Sequence, residues 1–109
     1  MPWIVREGDV LAAAEVATTG RERRRGLRGR DEMEGALVLR PCRSVHTVGM
    51  RFDIDVAFCD RDGIVIRTYC LRPRRLSPLV LRAALAIEAP SGAFERWNLR
   101  VGDKLEVKA

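Results

Sequence analysis

Near the middle of the chain, large apolar side chains alternate with polar or small ones. The large apolar residues are Phe52, Ile54, Val56 and Phe58, and the residues that follow them are Asp53, Asp55, Ala57 and Cys59. A repeat of two places the large side chains on one face of an extended chain, whereas a helix would spread them around its axis. The pattern predicts a half-buried β-strand over residues 52–58, and this strand constrains the rest of the fold.

The residues that follow the strand predict a hairpin. The run Asp60-Arg61-Asp62-Gly63 is typical of a type I turn followed by a left-handed glycine, which makes a three-residue loop and pairs Asp60 with Ile64. This register places Ile66 opposite Phe58. A two-residue loop would instead place Arg67 there and bury its charge, so we expect the three-residue loop.

Weaker patterns elsewhere predict further strands and two short helices. Apolar runs favour strands over residues 10–17, 35–39 and 84–89, and a turn followed by a strand is expected over 101–107. Thr19 and Glu22 have the spacing of a capping box for a helix over 20–28, and Ser91 is a candidate N-cap for a helix over 93–97. These elements favour a mainly β fold, either a β-sandwich or a partly closed barrel, with two short helices.

Length and composition predict one domain, residues 1–109. No window approaches the roughly 18 apolar residues that a membrane-spanning helix needs, and the N-terminus lacks the pattern of an export signal. The cysteines Cys42, Cys59 and Cys70 contain no Cys-x-x-Cys pair, which argues against a disulfide framework. We therefore expect a cytoplasmic protein without a membrane partner.

The net charge of +5 raises the possibility of a nucleic-acid partner. The arginines that would contact phosphates are Arg21, Arg24, Arg25, Arg28, Arg74 and Arg75. Acidic residues are interspersed along the chain, however, and few aromatic residues are present to stack on bases. A solvated charged surface is the favoured interpretation, and a nucleic-acid partner is not expected.

One polar cluster could carry chemistry. If residues 42–46 are extended, Cys42, His46 and Asp55 could converge, either as a nucleophile with its base and orienting acid or as metal ligands. The Cys-x-x-x-His spacing has no second ligand pair, so neither a metal nor another cofactor is expected. The alternative is that His46 and Asp55 satisfy each other or the backbone, with Cys42 as a small apolar filler.

Several motifs together resemble a known family. They are Gly26-Leu27, the block Cys42-x-x-Val45-His46-Thr47-x-x-Met50-x-Phe52-x-Ile54-Asp55-Val56-x-Phe58-x-Asp60-x-x-Gly63, and Leu99-x-x-Gly102-Asp103-x-Leu105. The pattern resembles the uncharacterised conserved-region (ACR) family, domain of unknown function one-ninety-two, from about Leu11 to Val107. The resemblance implies a mainly β domain with short flanking helices and no established activity, cofactor or substrate. Another branch of that family carries Trp-Met-x-Asn in place of His46-Thr47-x-Gly49, so His46-dependent catalysis is not a common property of the family.

The leading functional interpretation is a small non-catalytic binding or accessory module for a peptide or small molecule. Its ligand-binding residues would be His46, Thr47, Met50, Arg51, Asp53 and Asp55, which form a polar rim beside the predicted strand. One alternative is a cysteine-dependent or metal-dependent enzyme that uses Cys42, His46 and Asp55. Another is a weak nucleic-acid binder that uses the arginine clusters. The sequence indicates no oligomeric state.

Overall fold

The computed structural model describes residues 1–109 and contains seven β-strands and two short α-helices. The strands are β1 (Trp3–Arg6), β2 (Asp9–Ala17), β3 (Ala36–Leu39), β4 (Ile54–Cys59), β5 (Val65–Leu71), β6 (Leu85–Pro90) and β7 (Glu106–Lys108), and the helices are α1 (Gly20–Arg25) and α2 (Ala93–Arg96). The strands form one sheet in the order β5-β4-β6-β3-β2-β1-β7. The predicted mainly β fold with two short helices is confirmed, although β1 was not predicted. Neither helix is long and apolar enough to cross a membrane.

The two edges of the sheet meet at one point without closing the sheet into a barrel. The Leu105 N–H donates to the Gly63 carbonyl at 2.9 Å, and the Val65 N–H donates to the Asp103 carbonyl at 2.8 Å. The Gly102 N–H in turn donates to the Val65 carbonyl at 2.8 Å. The architecture is therefore a single sheet with touching edges, and not a sandwich of two separate sheets.

Strands β2 and β3 are parallel, so the chain needs a crossover between them, and the segment that connects them contains α1. The predicted capping box is confirmed. Thr19 Oγ1 accepts a hydrogen bond from the Glu22 N–H, and the Glu22 carboxylate accepts one from the Thr19 N–H, both at 3.0 Å. Helix α1 ends at Arg25, earlier than predicted, because Gly26 adopts φ +44° and leaves the helical conformation.

The alternation of β4 separates two hydrophobic cores. Ile54, Val56 and Phe58 lie on a face covered by the connecting segments, which we call the loop-covered face, and pack there with Leu27, Val45 and Met50. Ala57 and Cys59 lie on the opposite face, the α2 face, with Phe94 of α2. The predicted strand and its alternation are confirmed, but all six residues of β4 are buried, so the strand is not half-buried as predicted. The strand lies between β5 and β6, and both of its faces are covered.

The hairpin loop is confirmed, but the register of its strands is not. The Asp60 N–H donates to the Ile64 carbonyl at 3.0 Å, as the three-residue loop requires. An irregularity between Phe58 and Cys59 then places Phe58 opposite Arg67. The expected charge burial does not arise, because β5 is an edge strand and Arg67 is exposed, with its guanidinium donating to the Ile66 carbonyl.

Candidate functional site

Asp55 has a structural role on the α2 face, away from Cys42 and His46. Its Oδ2 atom accepts hydrogen bonds from the Gly92 N–H at 3.0 Å and from the Phe94 N–H at 3.1 Å. These N–H groups at the start of α2 have no acceptor within the helix, so Asp55 caps α2 from strand β4. Ser91 was predicted to be this cap, and that prediction was wrong.

Cys42 and His46 lie on the other side of the sheet from Asp55. Cys42 is half-buried, packs against the core of the loop-covered face and donates its thiol hydrogen to the Ser44 carbonyl. His46 is exposed and pairs with Leu76 in a short antiparallel bridge. The hypothesis that Cys42, His46 and Asp55 converge is therefore wrong. Successive side chains of β4 point to opposite faces, and that of Asp55 points to the α2 face, away from Cys42 and His46.

Thr47, predicted as a ligand-binding residue, is fully buried and holds a loop in place. Its hydroxyl donates to the Arg72 carbonyl at 2.6 Å and accepts from the Arg75 N–H at 2.8 Å. The Thr47 N–H also donates to the Arg75 carbonyl at 2.8 Å. These bonds fix residues 72–75 against residue 47, and complete burial keeps the hydroxyl out of reach of a ligand.

The remaining residues of the predicted rim are divided among different surroundings. Met50 is buried in the core of the loop-covered face and touches the cavity described below. Arg51 is exposed and forms an ion pair with Asp31, while Asp53 is exposed. The rim is therefore not one surface, and only His46 and Met50 of its members share a cavity.

A cavity of about 360 Å³ lies between α1 and the segment 41–46. Its apolar wall consists of Leu27, Leu39, Val45 and Met50, and Cys42, Ser44 and His46 line it beside them. The arginines that line it are Arg23, Arg24, Arg25, Arg28 and Arg43, and one acidic residue, Glu88 of β6, lines it as well. The cavity thus combines an apolar wall, several cations and one carboxyl group.

Glu88 is the most unusual residue of this cavity. Its neighbours on β6, Ile87 and Ala89, face the α2 core, so Glu88 points to the loop-covered face together with Ala86. Only 2% of the residue is exposed, and burial raises the pKa of its carboxyl group to about 7, with no hydrogen bond to oppose the shift. No fully enclosed side-chain oxygen or nitrogen in the molecule lacks a partner, so the Glu88 oxygens keep access to the cavity.

The arginines around the cavity are free of ion pairs, and one of them, Arg23, is held by backbone contacts. Arg23 donates to the carbonyls of Thr18 and Arg40, so its guanidinium is engaged. The four ion pairs of the chain involve Arg6, Arg30, Arg51 and Lys108. Arg24, Arg25, Arg28 and Arg43 therefore have no acidic partner and are available for an anion.

The two predicted arginine clusters flank the same loop. The Gly29 N–H donates to the Gly49 carbonyl at 3.3 Å, which places the Arg28 end of the first cluster beside residue 49. The bonds from Thr47 place Arg74 and Arg75 beside residue 47. Arg24, Arg25 and Arg28 line the cavity, whereas Arg21, Arg74 and Arg75 do not.

The chemistry of cysteine and metals finds little support in this geometry. Burial raises the pKa of the Cys42 thiol, which favours the protonated and less reactive form. No three side chains of the His, Cys, Asp and Glu types are grouped so that they could hold a metal ion. All three cysteines are free; Cys59 is buried and Cys70 is exposed.

Sequence reasoning missed Glu88, although a sign of it was present. The run 84–89 was interpreted as an apolar strand, and Glu88 is the one charged residue in it. A glutamate is rarely fully buried without a partner, so its place in an apolar strand should have marked it as a candidate.

Two solved structures share this fold. One is a protein of unknown function from Novosphingobium aromaticivorans, with a TM-score of 0.80, 19% sequence identity, and coverage of 96% of this chain and 82% of that chain. The other, from Sinorhizobium meliloti, is described as "a putative transcription regulator" and has a TM-score of 0.80, 19% identity, and coverage of 97% and 91%. At such identity the likeness concerns the fold alone.

The family model agrees with the motif resemblance. None of the curated proteins compared with the chain matches it. The model of the family described as Uncharacterized ACR matches residues 3–107, which is nearly the whole chain. The protein therefore belongs to the Uncharacterized ACR family, domain of unknown function one-ninety-two.

Proposed function

We propose that this protein is a non-catalytic binding module whose small-molecule or peptide ligand enters the cavity between α1 and residues 41–46. One observation carries the proposal: arginines without ion pairs and a buried glutamate without a hydrogen bond line the same cavity. Guanidinium groups bind carboxylates and phosphates through paired N–H donors, so the ligand carries an anionic group. The apolar wall gives that ligand a hydrophobic part to bury.

Binding explains this cavity better than cysteine catalysis does. Cys42 lies in the cavity, but the raised pKa of its thiol reduces the thiolate that a nucleophile needs. Asp55 cannot orient a base there, because it caps α2 on the opposite face. If Cys42 is nonetheless a nucleophile, iodoacetamide will alkylate it near neutral pH faster than it alkylates a free cysteine.

The proposal can be tested by NMR with small probes. Amide spectra of the ¹⁵N-labelled protein are recorded with acetate, succinate, inorganic phosphate and the common L-amino acids at millimolar concentrations. At least one probe is expected to shift the amides of residues 20–28, 41–46 and 86–90 in a saturable way. The double variant Arg24→Gln/Arg28→Gln should lower the affinity for that probe by roughly tenfold or more, since hydrogen bonds to charged groups contribute most to binding at such a site.

Arg21 provides the matched control for this double variant. It lies in the same helix and is exposed, but it does not line the cavity. Arg21→Gln should leave the affinity unchanged. Shifts confined to residues 72–75, or an effect of Arg21→Gln as large as that of the double variant, would contradict the proposal.

Nucleic-acid binding is the second candidate function. The two arginine clusters lie on either side of residues 47–49, and Arg21, Arg74 and Arg75 have no ion pair. The name of one structural relative points to transcription, but the arginine placement is what favours this candidate. If it is right, log affinity for DNA or RNA falls steeply with log salt, and the double variant Arg21→Gln/Arg74→Gln lowers the slope by roughly one for each phosphate contact removed. A flat salt dependence would end this candidate.

A further inference from the structure

Glu88 and the arginines of the cavity favour ligand groups of opposite charge. A buried carboxyl group is normally hydrogen-bonded, and one without a partner is costly to the fold. The Glu88 oxygens have no partner within the chain but remain accessible from the cavity. In its ionised form, the Glu88 carboxyl group would therefore gain a partner from a hydrogen-bond donor that a ligand brings into the cavity.

The arginines of the cavity favour an anionic group on the ligand. Arg24, Arg25 and Arg28 on α1 and the turn after it, with Arg43 on the facing segment, line the cavity without an acidic partner. The first three are exposed, whereas Glu88 is almost fully buried, so the cations lie nearer to solvent than the carboxyl group does. A ligand that satisfies both ends carries its donor inward and its anionic group outward.

We propose that the ligand is a small zwitterion of the amino-acid type, with its ammonium group on the Glu88 carboxylate and its carboxylate on Arg24, Arg25 and Arg28. This inference rests on the proposed function and names the ligand class of the same cavity. The apolar wall of Leu27, Leu39, Val45 and Met50 then contacts the ligand's side chain.

Ligands with a single charge fit this arrangement less well. A purely anionic ligand pairs with the arginines, but it repels an ionised Glu88 and gives that carboxylate no hydrogen-bond donor. A purely cationic ligand pairs with Glu88 but must pass the guanidinium groups of the rim. A zwitterion of the right length leaves neither end uncompensated.

The test compares an amino acid with analogues that lack one of its charges. The amino acid that shifts the cavity amides most strongly is titrated beside its desamino and decarboxy analogues; for leucine these are 4-methylpentanoate and 3-methylbutylamine. We expect each analogue to bind roughly tenfold or more weakly than the amino acid, as hydrogen bonds between charged groups imply. The unmodified protein alone decides this comparison, so no variant needs to fold.

Two variants then assign each end of the ligand. Glu88→Gln should remove most of the preference for the amino acid over its desamino analogue and leave the preference over the decarboxy analogue intact. Arg24→Gln/Arg28→Gln should remove most of the preference over the decarboxy analogue and leave the preference over the desamino analogue intact. If the desamino analogue binds the cavity as tightly as the amino acid, the zwitterion inference is overturned while the binding module stands. If no probe shifts the cavity amides, both fail.

Discussion

Glu88 places a titrating carboxyl group inside the protein, and its effect on stability has a definite sign. Its pKa rises from an ordinary value of 4.5 to about 7 because burial disfavours the charged form. Between these two values the folded state holds a proton that the unfolded chain has released. The free energy of unfolding therefore falls as pH rises from about 4.5 to about 7, and this loss persists at higher pH.

Glu88→Gln should remove this part of the pH dependence. The amide cannot ionise, so the variant should lose less stability than the wild type between pH 5 and 8, with a difference on the order of 3 kcal/mol at most. Urea unfolding at a series of pH values measures it. Glu32→Gln, at an exposed position without an ion pair, should follow the wild-type curve. Parallel curves for wild type and Glu88→Gln would show that the Glu88 carboxyl group does not titrate in this range.

At the scale of elements, helix α2 depends on Asp55 of strand β4 for its N-terminal cap. Asp55→Ala removes the acceptor for the Gly92 and Phe94 N–H groups and should lower the free energy of unfolding by about 1–3 kcal/mol. Asp55→Asn should cost less, since its amide oxygen still accepts. Urea unfolding measures both variants, and the exposed Asp53→Ala is the control.

The same substitution separates the structural role of Asp55 from the role that the sequence suggested. Asp55→Asn should bind cavity probes as the wild type does, because the Asp55 side chain lies on the α2 face. A weakened affinity without a matching loss of stability would return Asp55 to the functional site.

What the sequence could predict followed from local patterns. The capping box of α1 and the hairpin loop are set by neighbouring residues, and both are confirmed. The register beyond the loop could not be predicted, because the irregularity at Phe58 depends on how the edge strand adapts to β4. The predicted site was wrong for a related reason. Long-range packing determines which face of the sheet a side chain occupies, and it also brings α1 to the cavity that Glu88 lines.

For the whole molecule, the contact between the sheet edges is the feature most sensitive to a small change. Gly63 has φ +84°, and a Cβ there would collide with the Leu105 carbonyl oxygen that lies across the junction. Gly63→Ala should therefore lower the free energy of unfolding by more than about 2 kcal/mol, from the strained φ and the displaced edge together.

Gly8 is the matched control for Gly63. It has the same φ of +84°, but a Cβ there would meet no atom within 4 Å. Gly8→Ala should cost only the backbone strain, roughly 1 kcal/mol. Thermal or urea unfolding compares the two. Equal losses would mean that the junction between residues 63–65 and 102–105 accommodates a Cβ at residue 63 without being weakened.

The cap on α2 also limits the order in which the chain can assemble. A helix of four residues is too short to persist alone, and its acceptor lies 37 residues earlier in the sequence. Helix α2 thus cannot nucleate ahead of the sheet. We expect α2 to form only after β4 has docked beside β6, despite its local appearance in the sequence.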